Sequence, residues 1–358
     1  MRKRQPHKNI PKDHFEEEQG QGGFYGPVSH LIKRQPSTRW SHIEGDLKPR
    51  LFNLAKLQKQ KECWKKLLYN DFLNISFYQL EQTPDSAFAS ADGDILFFCH
   101  EGEGVILTEY GLLDYHASQY IVFPKCLPHF FIPKKPSAFF VIESLKSHFR
   151  EPNRGLLGRN ALYDSSALIR PDLKRLQTYL KENSMEVKKI TVYHQGKCTH
   201  FSYDQCIFDV VEWQGDLFPF TLDMQDIMPV TSHRAHLPPS INTTFLTNDF
   251  IVCSFLPRPL EQDGDALKVP FYHQNTDYDE VIFYHKGDFF SRDNLDKGMM
   301  SLHPAGFPHG PHPKAIKGVK GKTHTNEYAV MIDSKQPLKR ANELSPLEVK
   351  DYWKSWKS

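Results

Sequence analysis

Five histidines and a glutamate concentrate what chemistry this 358-residue chain could do. Of its 18 histidines, His273, His285, His303, His309 and His312 crowd into one short stretch that also holds Glu280. Imidazole nitrogens and a carboxylate suit iron, zinc, copper or nickel. A lone histidine in a strand is ordinarily a hydrogen-bonded core residue, but several of them spaced between glycines and prolines point to a metal. The six cysteines (63, 99, 126, 198, 206 and 253) form no CxxC pair, so they read as reduced thiols rather than as a disulfide frame or a zinc knuckle.

Short strands must position these groups. From Phe72 onward, apolar runs are broken by turn residues: Asp94–Cys99, Gly104–Tyr110, Gln119–Phe123 and Ala138–Ile142. Strands of this length, about 10–15 residues apart, predict an all-β sandwich or barrel. Only Pro171–Asn183, with Leu173, Leu176 and Leu180 on one face, and the tail Ser345–Ser358 read as helix. The second half repeats the rhythm of the first. Asp94-Ile-Leu-Phe-Phe is echoed by Glu280-Val-Ile-Phe-Tyr, and Pro124-x4-His129 by Pro304-x4-His309. Ala87 stands where the second copy has His273, so the first copy reads as structural.

Composition narrows the class. With 45 Lys+Arg against 43 Asp+Glu, the chain lacks the basic excess of a dedicated nucleic-acid binder. No run of about 18 apolar residues exists to span a membrane, and Met1-Arg-Lys-Arg has no apolar region behind it to make a secretory signal. The expectation is a cytoplasmic protein with a small-molecule substrate, no nucleic acid and no membrane. The expected organisation is a flexible tail (1–22), an irregular arm (23–60), a degenerate β half (61–165), a helical linker (166–190), a metal-binding half (191–340) and a C-terminal helix (341–358). The aromatic arm either covers its own sheet edge or packs on a second subunit. Arg34, Arg39 and Arg50 in it could meet a substrate carboxylate across such an interface, although solvated arginines are the simpler reading.

The segment His273-x-Asn275-x4-Glu280-x6-Gly287, followed by Gly298-x5-Pro304-x-Gly306-x2-His309, resembles the two-part signature of the cupins, which are jelly-roll barrels. That resemblance implies a bicupin and selects His273, Glu280 and His309 as metal ligands, with Asn275 where the usual cupin has another histidine. Two imidazoles and one carboxylate make the facial triad of non-haem Fe(II) oxygenases, which keeps several positions open. Strand alternation turns His285 to the other face. His303 is then placed as a supporting or substrate-contacting donor.

Several further motifs, in order, resemble the homogentisate 1,2-dioxygenase family over roughly residues 85–335: Ala91-Asp-Gly-Asp94 with Thr108-Glu-Tyr-Gly111, Gly155-Leu-Leu-Gly158-Arg-Asn160, Phe208-Asp-Val-Val-Glu-Trp213, His236-x2-Pro239-Ser240, and Pro270-Phe-Tyr-His273 through His309-Gly-Pro311. The resemblance implies an Fe(II) enzyme that opens the ring of homogentisate with O2, giving maleylacetoacetate in tyrosine and phenylalanine breakdown, and a homo-oligomer. It makes His236 the proton acceptor for a substrate hydroxyl, and puts His303, His309, Tyr272 and Phe289 at the substrate. Two departures stand out. Glu280 follows His273 by seven residues rather than six, which a bulge would accommodate, and Phe289 replaces a substrate-contacting tyrosine. Another hydroquinone-type acid such as gentisate, or a metal-binding cupin without catalysis, are the alternative readings.

Overall fold

The computed structural model describes residues 6–58, 64–264, 266–267, 271–289, 294–318 and 321–357. Cys63, Pro270 and the basic residues Met1–Arg4 lie outside them. The described residues are predominantly strand, in the all-β class. No helix among them is long and apolar enough to cross a membrane.

The chain divides into two compact units. One comprises residues 58–227 with 340–343; the other joins 1–57, 228–339 and 344–358. The boundary therefore falls near residue 227 rather than 190, and the N-terminal segment belongs to the second unit.

In the 58–227 unit, the long strands Asp94–Thr108 and His129–Ser144 pair antiparallel. The two runs expected at 94–99 and 104–110 are one strand, because Gly102 at φ 98° lets the backbone pass Ser137 without breaking the ladder. Alternation buries Ile95, Phe97 and Cys99 against Phe123, Phe131 and Phe139. His129 is sealed among these rings, stacked on Phe123 at 4.1 Å. The expected helix is present at Leu173–Glu182, capped by Asp172, whose side chain accepts from the Arg175 amide. It packs Leu176 and Leu173 on Leu107, Leu112 and Phe130.

The other unit has a six-stranded sheet in the order Thr243–Leu246, Phe250–Phe255, Asn326–Ser334, Asp279–Asp288, Met299–His303, Arg50–Asn53. A second sheet lays Phe15–Gly20 between Tyr272–Asn275, parallel, and Val28–Lys33, antiparallel. Residues 6–22, the described part of the expected tail, are thus not loose: Glu16, Glu17 and Glu18 are buried in this strand. The arm covers its own sheet edge. Phe52 is fully buried, Arg50–Asn53 pairs with Met299–Leu302, and Trp40 packs on Phe307 and Trp356. Arg50 is buried and bound to Glu348 at 2.5 Å and to Asp46, so it is committed inside the fold. The expected C-terminal helix is instead two short 3-10 turns, Asn342–Leu347 and Tyr352–Lys357, with Pro346 inside the first. The second turn sinks Tyr352, Trp353 and Trp356 into the unit.

Candidate metal centre

His273 and Glu280 come from neighbouring strands joined by the loop 276–278, and His309 from the stretch after Met299–His303. The seven-residue spacing is absorbed in that loop, where Thr276 donates its amide to Gly20 and Asp277 accepts from the Gly22 amide. No bulge re-aims Glu280; the irregularity in its strand lies between Tyr284 and Lys286. Asp279 anchors the start of the strand by accepting from the Ala305 and Leu338 amides at 2.8 and 2.7 Å. Glu280, Ile282 and Tyr284 then face a cavity, while His285 is on the opposite parity.

The three expected ligands meet. One donor atom from each of His273, Glu280 and His309 lies within 4.8 Å of the others. Glu280 Oε2 is 3.5 Å from His309 Nε2 and 4.0 Å from His273 Nε2. His273 Nδ1 donates to the Phe271 carbonyl at 2.8 Å, and His309 Nδ1 to the Phe307 carbonyl at 3.0 Å. Those bonds fix both tautomers with the Nε2 lone pair turned toward Glu280, the second-sphere arrangement typical of metal-binding histidines. Burial works against a charge on Glu280, but His309, His273 and His303 together hold its carboxyl well below the usual range. Two neutral imidazoles and one carboxylate on one side fit Fe(II).

His303 is Glu280's cross-strand partner and makes a 2.7 Å hydrogen bond from Nδ1 to Glu280 Oε1. Its ring stacks on His309 at 4.5 Å. It is fully buried and, like His309, stands behind the cavity wall, with Glu280 Oε1 as its hydrogen-bond partner. Tyr272 and Phe289 also lie off the wall. Tyr272 is buried with its hydroxyl on Thr38, and Phe289 packs on Tyr284 in the core. His312 meets Ser355 and Trp356.

His236 does line the cavity, with His273, Glu280, Phe271, Leu260 and Arg258. Its Nδ1 is 3.1 Å from Glu261 Oε1. Arg258 Nη2, which can only donate, is 3.3 Å from the same Nδ1, but the shorter contact is to Glu261, which when ionised can only accept, so Nδ1 is assigned the proton and Nε2 is left as an acceptor. Burial lowers the His236 pKa, with Arg258 adding to the effect and Glu261 opposing it. The ring is neutral at pH 7. The same contacts hold Glu261 low against the cost of its own burial. Glu261 and Arg258 carry no spacing signal relative to the triad, and only the fold reveals them, Arg258 on the cavity wall and Glu261 bonded to His236. Asp333, opposite Glu280 in the next strand, is another: burial, and then the Glu280 and Asp277 charges, push its pKa well up.

An all-β unit that brings two histidines and a carboxylate together beside a cavity has the donor set that non-haem metal sites use. The model of the homogentisate 1,2-dioxygenase N-terminal region matches residues 34–224, more than half of the chain. A relative named "Putative dioxygenase SSO1533", from Saccharolobus solfataricus, is 30% identical over 95% of this chain and 92% of its own. The homogentisate 1,2-dioxygenases of Drosophila melanogaster and Oryza sativa are each 27% identical, over 69% and 71% of this chain. The chain belongs to the homogentisate 1,2-dioxygenase family. Its matches span only 57% and 55% of the fly and rice enzymes. Among solved structures, a cupin 2 conserved barrel domain protein from Leptotrichia buccalis is similar over 80% of this chain and 96% of its own, at 10% identity and a TM-score of 0.38.

Proposed function

We propose that this protein is an Fe(II)-dependent ring-cleaving dioxygenase that converts homogentisate and O2 to maleylacetoacetate in the cytoplasmic breakdown of tyrosine and phenylalanine, working as a homo-oligomer. The observation that carries the reading is that two members of the triad, His273 and Glu280, share one cavity with the buried His236.

His273, Glu280 and His309 would hold the iron, which supplies open positions for a phenolic oxygen and for O2. Everything else falls to the chain. His236 Nε2, backed by Glu261, accepts the proton of a ring hydroxyl as it ionises, the role of a positioned base whose neutral form dominates at working pH. Phe24, Leu260, Phe271, Ile282 and Met331 form apolar walls suited to an aromatic ring. Arg258, on the same wall, offers a guanidinium to an acid side chain. His303 holds Glu280 in its ligand rotamer.

The test is anaerobic reconstitution with Fe(II), followed by O2 uptake with homogentisate and absorbance of the product. One O2 consumed per maleylacetoacetate formed is the expected result; bound iron without turnover on any hydroquinone acid would refute it. A second reading, opening of another such ring as in gentisate, is favoured by Phe289, which puts no hydroxyl in the cavity. Gentisate turnover exceeding that of homogentisate would decide for it.

A further inference from the structure

A second cluster of ligand-type side chains lies in the three-stranded sheet, and the triad does not use it. Glu18 and His30 are cross-strand partners, and Glu16, two residues away, shares Glu18's face. His7 comes from the preceding segment, fixed by the Leu267 amide donating to its carbonyl and by its ring stacked on Phe271 at 3.9 Å. One donor atom from each of His7, Glu18 and His30 lies within 4.8 Å of the others.

The donor atoms are spaced as ligands are. His7 Nε2 is 3.4 Å from Glu18 Oε2, and His30 Nε2 is 4.0 Å from Glu18 Oε1. Both exceed a good N–H···O bond. With metal–ligand distances near 2.1 Å, the edge of a tetrahedron is about 3.4 Å. Glu18 Oε2 is enclosed and has no hydrogen-bond partner, and the same is true of His30 Nδ1. Glu18 is 2% exposed, so its unpartnered oxygen points into the cluster and not to solvent. Behind His7, Nδ1 is 3.1 Å from Glu16 Oε2, which also accepts the His7 amide at 2.9 Å. That is the carboxylate–histidine relay that turns Nε2 toward a metal. Glu16 and Glu18 bring two negative charges into a buried site, which a divalent cation would balance.

We propose that His7, Glu18 and His30, with Glu16 supporting His7, form a second site for a first-row divalent cation such as Zn2+, which two imidazoles and a carboxylate can hold. The ion ties three chain segments together behind Phe271, whose ring also touches His236 and His273. Its role is to fix that wall of the cavity. The site stands independently of the catalytic reading.

The experiment is a Zn2+ titration of the metal-stripped full chain, with bound metal counted by elemental analysis. Wild type takes up two equivalents. His309→Ala keeps one, His30→Ala keeps one, and the double variant keeps none. Glu16→Gln leaves the stoichiometry at two and weakens one site by about 10–100-fold. Zn2+ raises the melting temperature of His309→Ala and not that of the double variant. His30 is half-buried, so His30→Ala is the variant least prone to unfold; its far-UV dichroism confirms the fold, and Glu18→Gln serves as the repeat. A single wild-type equivalent that His309→Ala removes, or two retained in folded His30→Ala and Glu18→Gln, overturns the proposal and leaves a purely ionic histidine–glutamate lock.

Discussion

His273 and His309 are joined through their backbones: each donates its amide to the other's carbonyl, at 2.9 and 2.8 Å. This isolated bridge fixes two imidazoles 4.1 Å apart, centre to centre, before any metal arrives. Residues 36 apart in sequence are therefore held as one preformed pair, and Glu280 reaches it from the next strand in the chain, which belongs to the six-stranded sheet.

His309→Ala should abolish Fe(II) binding and turnover while leaving the fold intact, because the bridge is made by backbone atoms that alanine retains. Iron analysis and circular dichroism check it together. Full activity in the variant would remove His309 from the centre.

His303→Phe should keep much of the ring stacking on His309 and lose the 2.7 Å bond to Glu280. Loss of such a supporting partner is expected to weaken iron binding by about 10–100-fold. Since His303 does not line the cavity, KM for the substrate should hold once iron is saturating. A raised KM with unchanged iron affinity would put His303 back at the substrate.

His236→Ala should retain iron and lose about 10²–10⁴-fold in kcat. In the wild type, burial places the His236 pKa below the ordinary histidine value, so the acid limb of the pH profile falls below pH 6.5. Glu261 raises that pKa, and Glu261→Gln should therefore shift the limb further to the acid side as well as slow turnover. A limb moving to higher pH would contradict the pairing.

His129 gives a pH-dependent stability unrelated to the site. Burial lowers its pKa from 6.5 to about 4. Between those values the unfolded chain takes up a proton that the folded one refuses, so stability is lost as pH falls from about 6.5 to about 4. The loss should be on the order of 3 kcal/mol. Denaturant melts at pH 7 and 4.5 on wild type and His129→Phe measure it; equal pH dependence in both would exclude His129 as the cause.

Gly287→Ala should destabilise by about 2–4 kcal/mol, because Gly287 sits at φ 105° and an added Cβ would be 2.1 Å from the Asn326 carbonyl oxygen. An unchanged urea midpoint would show that the strand pair can shift to admit it.

The sequence alone determined the all-β class, the helix near residues 171–183, the separation of His285 from its neighbours and, through spacing shared with a known family, the three residues that the fold brings together at the candidate site. These are legible because alternation, caps and tight turns are local: each is set by residues a few positions apart. Tertiary structure decided the rest. The acidic run Glu16–Glu18 reads as solvated, yet it is buried, because His7, His30 and Lys33 arrive from other segments to contact it. Phe289 and Tyr272 lie close in sequence to the ligands and still point into packed core, since pleat direction and neighbouring rings, not sequence proximity, choose the face. Glu261 and Arg258 become partners of His236 only when a loop folds back 22–25 residues later. Charge balance in a buried site is a property of the whole unit, and no local pattern encodes it.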